Sequence, residues 1–197
     1  MNLPNKITLS RIIMTIFIII LLVFPFEEAG INLPQLYINE MIVVDIKYPI
    51  AGVLFIIASL SDMIDGKLAR KNNQVTDLGK MLDAIADKVL VNTILVALSA
   101  SGFIHPIIPI VVIFRDEVVN SLKMISGNKG KVIAASKTGK CKTVCMMVGI
   151  SLTLFYNLPF ELWNFKVSDM LLVIAMVLSV ISGVQYYYAC KNLISEN

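Results

Sequence analysis

Charge is scarce in this 197-residue chain: 16% of its residues are Asp, Glu, Lys or Arg, whereas soluble domains run to roughly a quarter. That density cannot clothe a water-soluble surface, so a soluble globule is excluded. Cysteine is also rare. Cys141 and Cys145 stand four apart and Cys190 is remote, which offers no paired-cysteine zinc spacing. All three read as small apolar packing residues. The one histidine, His105 in "IHPI", reads as a surface residue of a loop, not a ligand. With a single Trp and basic residues that mostly flank apolar runs, the chain has no aromatic-rich soluble surface to stack bases, and nucleic acid is a poor fit as a partner. Internal repeats, low-complexity tracts and long linkers are lacking too. Residues 1–197 therefore read as one domain.

What the chain has in abundance is apolar sequence, 57% of residues with a mean hydropathy of +0.79. A membrane-crossing helix needs roughly 20 mainly apolar residues, and six such runs occur. The first is Ile7 to Phe26. The second runs from about Ile46 through "YPIAGVLFIIASLSDMIDG". The third opens near Asp77, the fourth is "IHPIIPIVVIFRDEVVNSLKMI", the fifth opens near Lys137, and the sixth is "SDMLLVIAMVLSVISGVQYYYAC". The first run resembles a secretory leader in following Lys6, but it is too long for a leader and no small-x-small site follows "LLVFPFEEAG", so it reads as a span. The expected fold class is an all-α integral membrane protein of six transmembrane helices.

Lys and Arg gather at the amino terminus, between Lys67 and Lys80, and between Lys123 and Lys142. Residues 27 to 45 hold Glu27, Glu28, Glu40 and Asp45 and no Lys or Arg. The positive-inside bias predicts a multi-pass protein of the cell membrane with both termini and a polar cavity on the cytoplasmic side. A basic cytoplasmic face suits anionic headgroups or phosphorylated substrates. The tyrosines at 186 to 188 read as an interfacial aromatic belt.

The stretch "SDMIDGKLARKNNQVTDLGKMLDAIADK" departs from this apolar background. Asp62, Asp65, Gly66, Ala69 and Arg70 fall on one face of the second helix, and Gly79, Asp83 and Asp87 on one face of the third. The short polar link makes the two helices a hairpin and brings both stripes together. Asp77, Lys71 and Lys80 read as solvated interfacial residues. Four carboxylates in a poorly solvated site repel, so either some are protonated or cations lie between them. Oxygen ligands select hard ions such as Mg²⁺ or Mn²⁺, and four aspartates suffice for two. Gly66 and Gly79 leave room for a ligand, and Arg70 offers a fork suited to phosphate.

The pattern D-x2-D-G-x2-A-R-x8-G-x3-D-x3-D, complete here from Asp62 to Asp87, resembles the signature of the CDP-alcohol phosphotransferases. The resemblance implies a homodimer of six-helix membrane protomers and a two-metal site on Asp62, Asp65, Asp83 and Asp87. It implies that Asp87 deprotonates the attacking alcohol. It also implies that Gly66, Ala69 and Arg70, with Asp62 and Gly79 beside them, hold the CDP moiety.

The amino-terminal "LPNKITLSR" and the block from Arg115 to Thr143 resemble the bacterial phosphatidylglycerophosphate synthases within that family. The implied substrates are CDP-diacylglycerol and glycerol 3-phosphate, amid membrane lipids. Asp116, Ser121 and Lys123 replace the Glu, Gly and Arg usual there, and Cys145 stands where Gln is usual, so another acceptor stays open. Arg115 lies well inside the fourth run. It either pairs with Asp116 or Glu117 or faces the cavity and meets a phosphate. Arg11, Arg115, Lys137 and Lys140 are the candidates for holding the acceptor's phosphate. A cation transporter would need polar residues through the full membrane depth, and here the acidic stripe stops at Asp87.

Overall fold

The computed structural model describes the backbone of residues 3–38, 42–71, 77–128 and 136–194, and the side chains within them except at 3–6, 38, 62–71, 77, 78, 80, 83, 84, 128 and 192–194. Six helices stand where the six apolar runs predict them: α1 (Leu3–Val23), α2 (Lys47–Lys71), α3 (Asp77–Ala100), α4 (Ile107–Asn128), α5 (Lys137–Leu154) and α6 (Val167–Ile194). Ile, Val and Thr are weak helix formers in water, yet α1 is rich in them. In an apolar surrounding the helix satisfies every backbone group internally, and that term overrides side-chain propensity. By length and composition, Val167–Lys191 is long and apolar enough to cross a membrane. The apolar parts of α1 and α2, Ile7–Val23 and Lys47–Ser61, are shorter.

One element is absent from the sequence reading. Residues 27 to 45 are not all loop: β1 (Gln35–Ile38) pairs antiparallel with β2 (Ile42–Asp45), Gln35 opposite Asp45. Glu40 lies outside the described residues. The β-branched run "IVV" favours a strand, and the Gln35 amide donates to the Asp45 carboxylate at 2.9 Å.

The helices pack α1 on α2 and α3, α4 on α6, and α5 on α6. Phe55, Ile94, Leu95, Leu98, Ile150 and Leu172 form the fully buried centre. Gly149 permits the close α5–α6 approach: a Cβ there would meet Leu172 Cδ2 at 2.9 Å.

The three connections α1–α2, α3–α4 and α5–α6 meet at one end of the bundle. Tyr48, Phe103 and Tyr156 contribute one ring each, with centroids 4.6 to 5.7 Å apart. The Asp45 N–H donates to the Tyr156 hydroxyl at 3.0 Å and docks the hairpin. His105 is exposed in this region, as expected, and its Nδ1 accepts the Ile107 N–H at 3.3 Å, near the start of α4. The opposite end, where α2 gives way to α3, carries the aspartate signature.

Candidate active site

Asp62, Asp65, Gly66, Ala69 and Arg70 fall in the last turns of α2, and Gly79, Asp83 and Asp87 in the first turns of α3. The backbone thus sets both stripes at neighbouring helix ends. The side chains of Asp62, Asp65, Ala69, Arg70 and Asp83, and of Asp77, Lys71 and Lys80, lie outside the described residues, as does Gly66. Of the four expected ligands, only the Asp87 side chain is described. It is half-buried, between the fully packed Ala86 and Leu90 on the next turn. Among the described residues no three His, Cys, Asp or Glu side chains gather as a metal-binding group.

A second polar cluster joins α4, α5 and α6. In the middle of α4, Arg115 Nη1 donates to Asp116 Oδ1 at 2.8 Å. The α5 residue Lys142 places its Nζ 2.7 and 2.8 Å from the two Asp116 oxygens. From α6, Ser182 Oγ accepts from Arg115 Nη2 at 2.5 Å. The side chains of Arg115, Asp116 and Lys142 are 13%, 17% and 11% exposed. One carboxylate thus serves two cations, and the trio keeps a net positive charge when all are ionised. Burying these ions is tolerable because each has a charge-assisted partner. The Lys142 ammonium also lies within electrostatic reach of Asp87. The cation cluster and the Asp87 carboxylate therefore share one region of the bundle.

The two sequence readings of Arg115 are not exclusive. It does pair with Asp116, while a guanidinium has five N–H donors, so hydrogens on Nη1 and Nη2 remain for an anion. Lys137 and Lys140 are exposed at the start of α5, and the cluster does not include them. Arg11 is fully buried beside Thr8 and Thr15 on α1.

Sequence reasoning missed Lys142. Lys142, Met146, Gly149, Ile150 and Thr153 form the buried face of α5, whereas Lys137, Lys140, Cys141, Val144 and Val148 are exposed. With apolar Val144 and Val148 on the exposed face, only the packing of α5 assigns Lys142 inward and the other two lysines outward. The exposure of Cys141 departs from its reading as a packing residue, and all three cysteines are free thiols.

The tyrosine belt needs a correction. Tyr187 and Tyr188 are exposed, but Tyr186 is buried at 5%. Its ring lies under two cations, 5.9 Å from Arg115 Cζ and 5.2 Å from Lys123 Nζ. The reason is the α4–α6 contact: Tyr186 follows Ser182 by one turn and so shares its face.

Beside this region, α3 and α4 leave an open groove of about 750 Å³, lined by Met81, Ile85 and Val89 and by Lys88, Glu117 and Lys123. Lys88 Nζ and Arg115 Nε are both buried with no hydrogen-bond partner among the described residues.

Residues 1–181 match the model of the CDP-alcohol phosphatidyltransferases, so Ser182, Gly183 and Tyr186 lie past its end. A Bacillus subtilis protein named CDP-diacylglycerol–glycerol-3-phosphate 3-phosphatidyltransferase is 38% identical, over 94% of this chain and 93% of its own. Proteins of the same name from Mycoplasma pneumoniae and Rickettsia typhi are similar to it as well. The first is 37% identical over 78% of this chain and 68% of its own, the second 32% identical over 97% and 98%. The signature on α2 and α3, the family model and these likenesses agree: the chain belongs to the CDP-alcohol phosphatidyltransferase family.

Proposed function

We propose that this chain transfers the phosphatidyl group of CDP-diacylglycerol to glycerol 3-phosphate, giving phosphatidylglycerol phosphate and CMP. The observation that carries the reading is the pairing of Arg115 and Lys142 with a common Asp116, with Lys142 within electrostatic reach of Asp87. A phosphorylated acceptor needs cations where its phosphate sits and a base where its hydroxyl sits. An unphosphorylated alcohol such as inositol has no use for the cations.

Asp62, Asp65, Asp83 and Asp87 form an all-oxygen donor set that fits two hard divalent ions, Mg²⁺ or Mn²⁺. Such ions, when bound, neutralise the pyrophosphate and stabilise charge building on it. Gly66, Ala69 and Arg70, with Gly79 opposite, hold the CDP moiety. Arg115 and Lys142, with Arg11, Lys137 and Lys140 as further candidates, hold the acceptor's phosphate. The acceptor hydroxyl then attacks the phosphorus nearest the diacylglycerol. Asp87 takes its proton, the new P–O bond forms, and the bond to the bridging oxygen breaks in line. CMP leaves with that electron pair.

All six helices span the bilayer in this reading, with both termini and the polar cavity cytoplasmic, and the protein is a homodimer. The lipid tails stay among the helices, for which the apolar wall of the α3–α4 groove is suited, while the headgroup reaches the aspartates. The test is purified protein in detergent with CDP-diacylglycerol and Mg²⁺ or Mn²⁺. Glycerol 3-phosphate, inositol phosphate, serine and phosphatidylglycerol are offered in turn. CMP release should require glycerol 3-phosphate and stop on chelation. Arg115→Ala should weaken use of glycerol 3-phosphate by on the order of 2 to 5 kcal/mol and spare the KM for CDP-diacylglycerol. Turnover with another acceptor alone would overturn the assignment. A reporter fused at Asn197 reads out the topology, and an extracellular signal there would contradict the six-span arrangement.

A further inference from the structure

We propose that α6 positions Arg115 for the acceptor's phosphate, with Ser182, Gly183 and Tyr186 forming a seat for its guanidinium. This rests on the reading of Arg115 as an acceptor-phosphate residue, and it adds a role for a helix that carries none of the signature aspartates.

The need for a seat follows from the side chain. Arginine carries about 2 kcal/mol of rotamer entropy, and a fork that must meet a phosphate works best when already oriented. Asp116 cannot orient it alone. It is the next residue on the same helix, and both its oxygens also face Lys142.

Three features of α6 supply what Asp116 cannot. Ser182 is fully buried, and its hydroxyl donates to the Ser179 carbonyl at 3.0 Å. Its proton is thereby committed within α6, and its lone pairs point to Arg115 Nη2, which they accept at 2.5 Å. Gly183 gives the side chain a surface to lie on. A Cβ at that position would come 3.0 Å from Arg115 Cγ and 3.3 Å from Nε. Contacts that close force a shift of a few tenths of an ångström, and the stem has little freedom to give, because its tip is tethered at both Nη atoms. Tyr186, one turn on, presents its ring 5.9 Å from Cζ, within cation–π range. Hydroxyl, missing side chain and ring occupy one face of α6 and all act on the same guanidinium. The outward hydrogens of Nη1 and Nη2 are left for an anion.

The experiment is steady-state kinetics of the full-length enzyme in detergent with Mg²⁺, each substrate varied in turn. Ser182→Ala should raise the KM for glycerol 3-phosphate about tenfold, the worth of one hydrogen bond to a charged group. Gly183→Ala should raise it about fivefold through displacement of the stem. The KM for CDP-diacylglycerol should stay within about twofold in both. Ser182→Thr, which keeps the hydroxyl, should retain most of the acceptor affinity. In an Arg115→Ala background, Gly183→Ala should add nothing, because its effect passes through Arg115.

If Arg115→Ala cripples use of glycerol 3-phosphate while Ser182→Ala and Gly183→Ala behave as wild type, the seat is refuted and the acceptor assignment stands. If Arg115→Ala leaves that KM unchanged, the acceptor assignment itself fails, and the seat with it. An added loss from Gly183→Ala without Arg115 would reduce α6 to helix packing and overturn the proposal. Should Gly183→Ala not fold, the Ser182→Ala and Ser182→Thr pair decides alone.

Discussion

Where α5 runs into α6, every polar atom of Asn157 is used. Its Nδ2 donates to Glu161 Oε2 at 3.0 Å and to the Phe165 carbonyl at 2.6 Å, its Oδ1 accepts the Ser168 N–H at 3.0 Å, and its own N–H reaches the Leu152 carbonyl at 2.6 Å. At the other end, around Asp87 and Arg115, the count runs short. Asp116 answers two cations, and Arg115 Nε and Lys88 Nζ are buried without a hydrogen-bond partner among the described residues. Both regions sit among apolar helices, where an unmet donor is costly. The difference teaches what each region is for. A satisfied polar hub stabilises one conformation. A cluster with donors to spare beyond its internal pairs suits the anion site proposed above.

Substitutions at the two ends should therefore fail in different ways. The largest effect belongs to Asp87. Asp87→Asn keeps size and shape but removes a base and a hard oxygen ligand, and kcat should fall by about 10²- to 10⁴-fold or more. Thermal unfolding in detergent should barely move, since the site end contributes chemistry more than stability. A large fall in unfolding temperature would erase the contrast between the ends.

Asn157→Ala should show the reverse. It strands the Ser168 N–H and the Phe165 carbonyl and puts Ala at φ 55°, a left-handed conformation that Asn tolerates better. The expected loss is about 2 to 4 kcal/mol of stability, with the KM for both substrates unchanged in the protein that remains folded. Asn157→Gly relieves the backbone but not the lost bonds, so it should recover only part. A selective change in either KM would mean that the two ends are coupled.

The same contrast governs what was legible in the sequence. The signature residues were readable as a family pattern because they keep fixed spacing along α2 and α3. The six helices were readable because each lies on a long, mainly apolar run, too long for a strand. The hairpin at 35–45 was not, since four-residue strands carry little pattern. Lys142 was hidden because α5 has apolar residues on both faces, so the sequence favoured Lys137 and Lys140 while the packing buries Lys142. Ser182, Gly183 and Tyr186 were hidden in a different way. Their meaning lies in a contact with Arg115, 67 residues before Ser182, and no periodicity within α6 records it.

The smallest effect is at the hydroxyl that docks the hairpin. Tyr156→Phe removes the acceptor of the Asp45 N–H but keeps the ring against Tyr48 and Phe103, and about 1 kcal/mol should be lost. Burial pushes the Tyr156 phenol up to about 12 from its ordinary 10. The charge of Asp45 adds to the rise, although the hydrogen bond from the Asp45 backbone opposes it. The folded protein thus holds this proton more tightly than the unfolded chain does. The resulting stability is fully present below pH 10 and is lost as pH climbs from 10 towards 12. Unfolding midpoints measured across that window should fall more steeply for the wild type than for Tyr156→Phe, which has no proton to lose at 156. Parallel slopes would show that the hairpin end does not sense this proton.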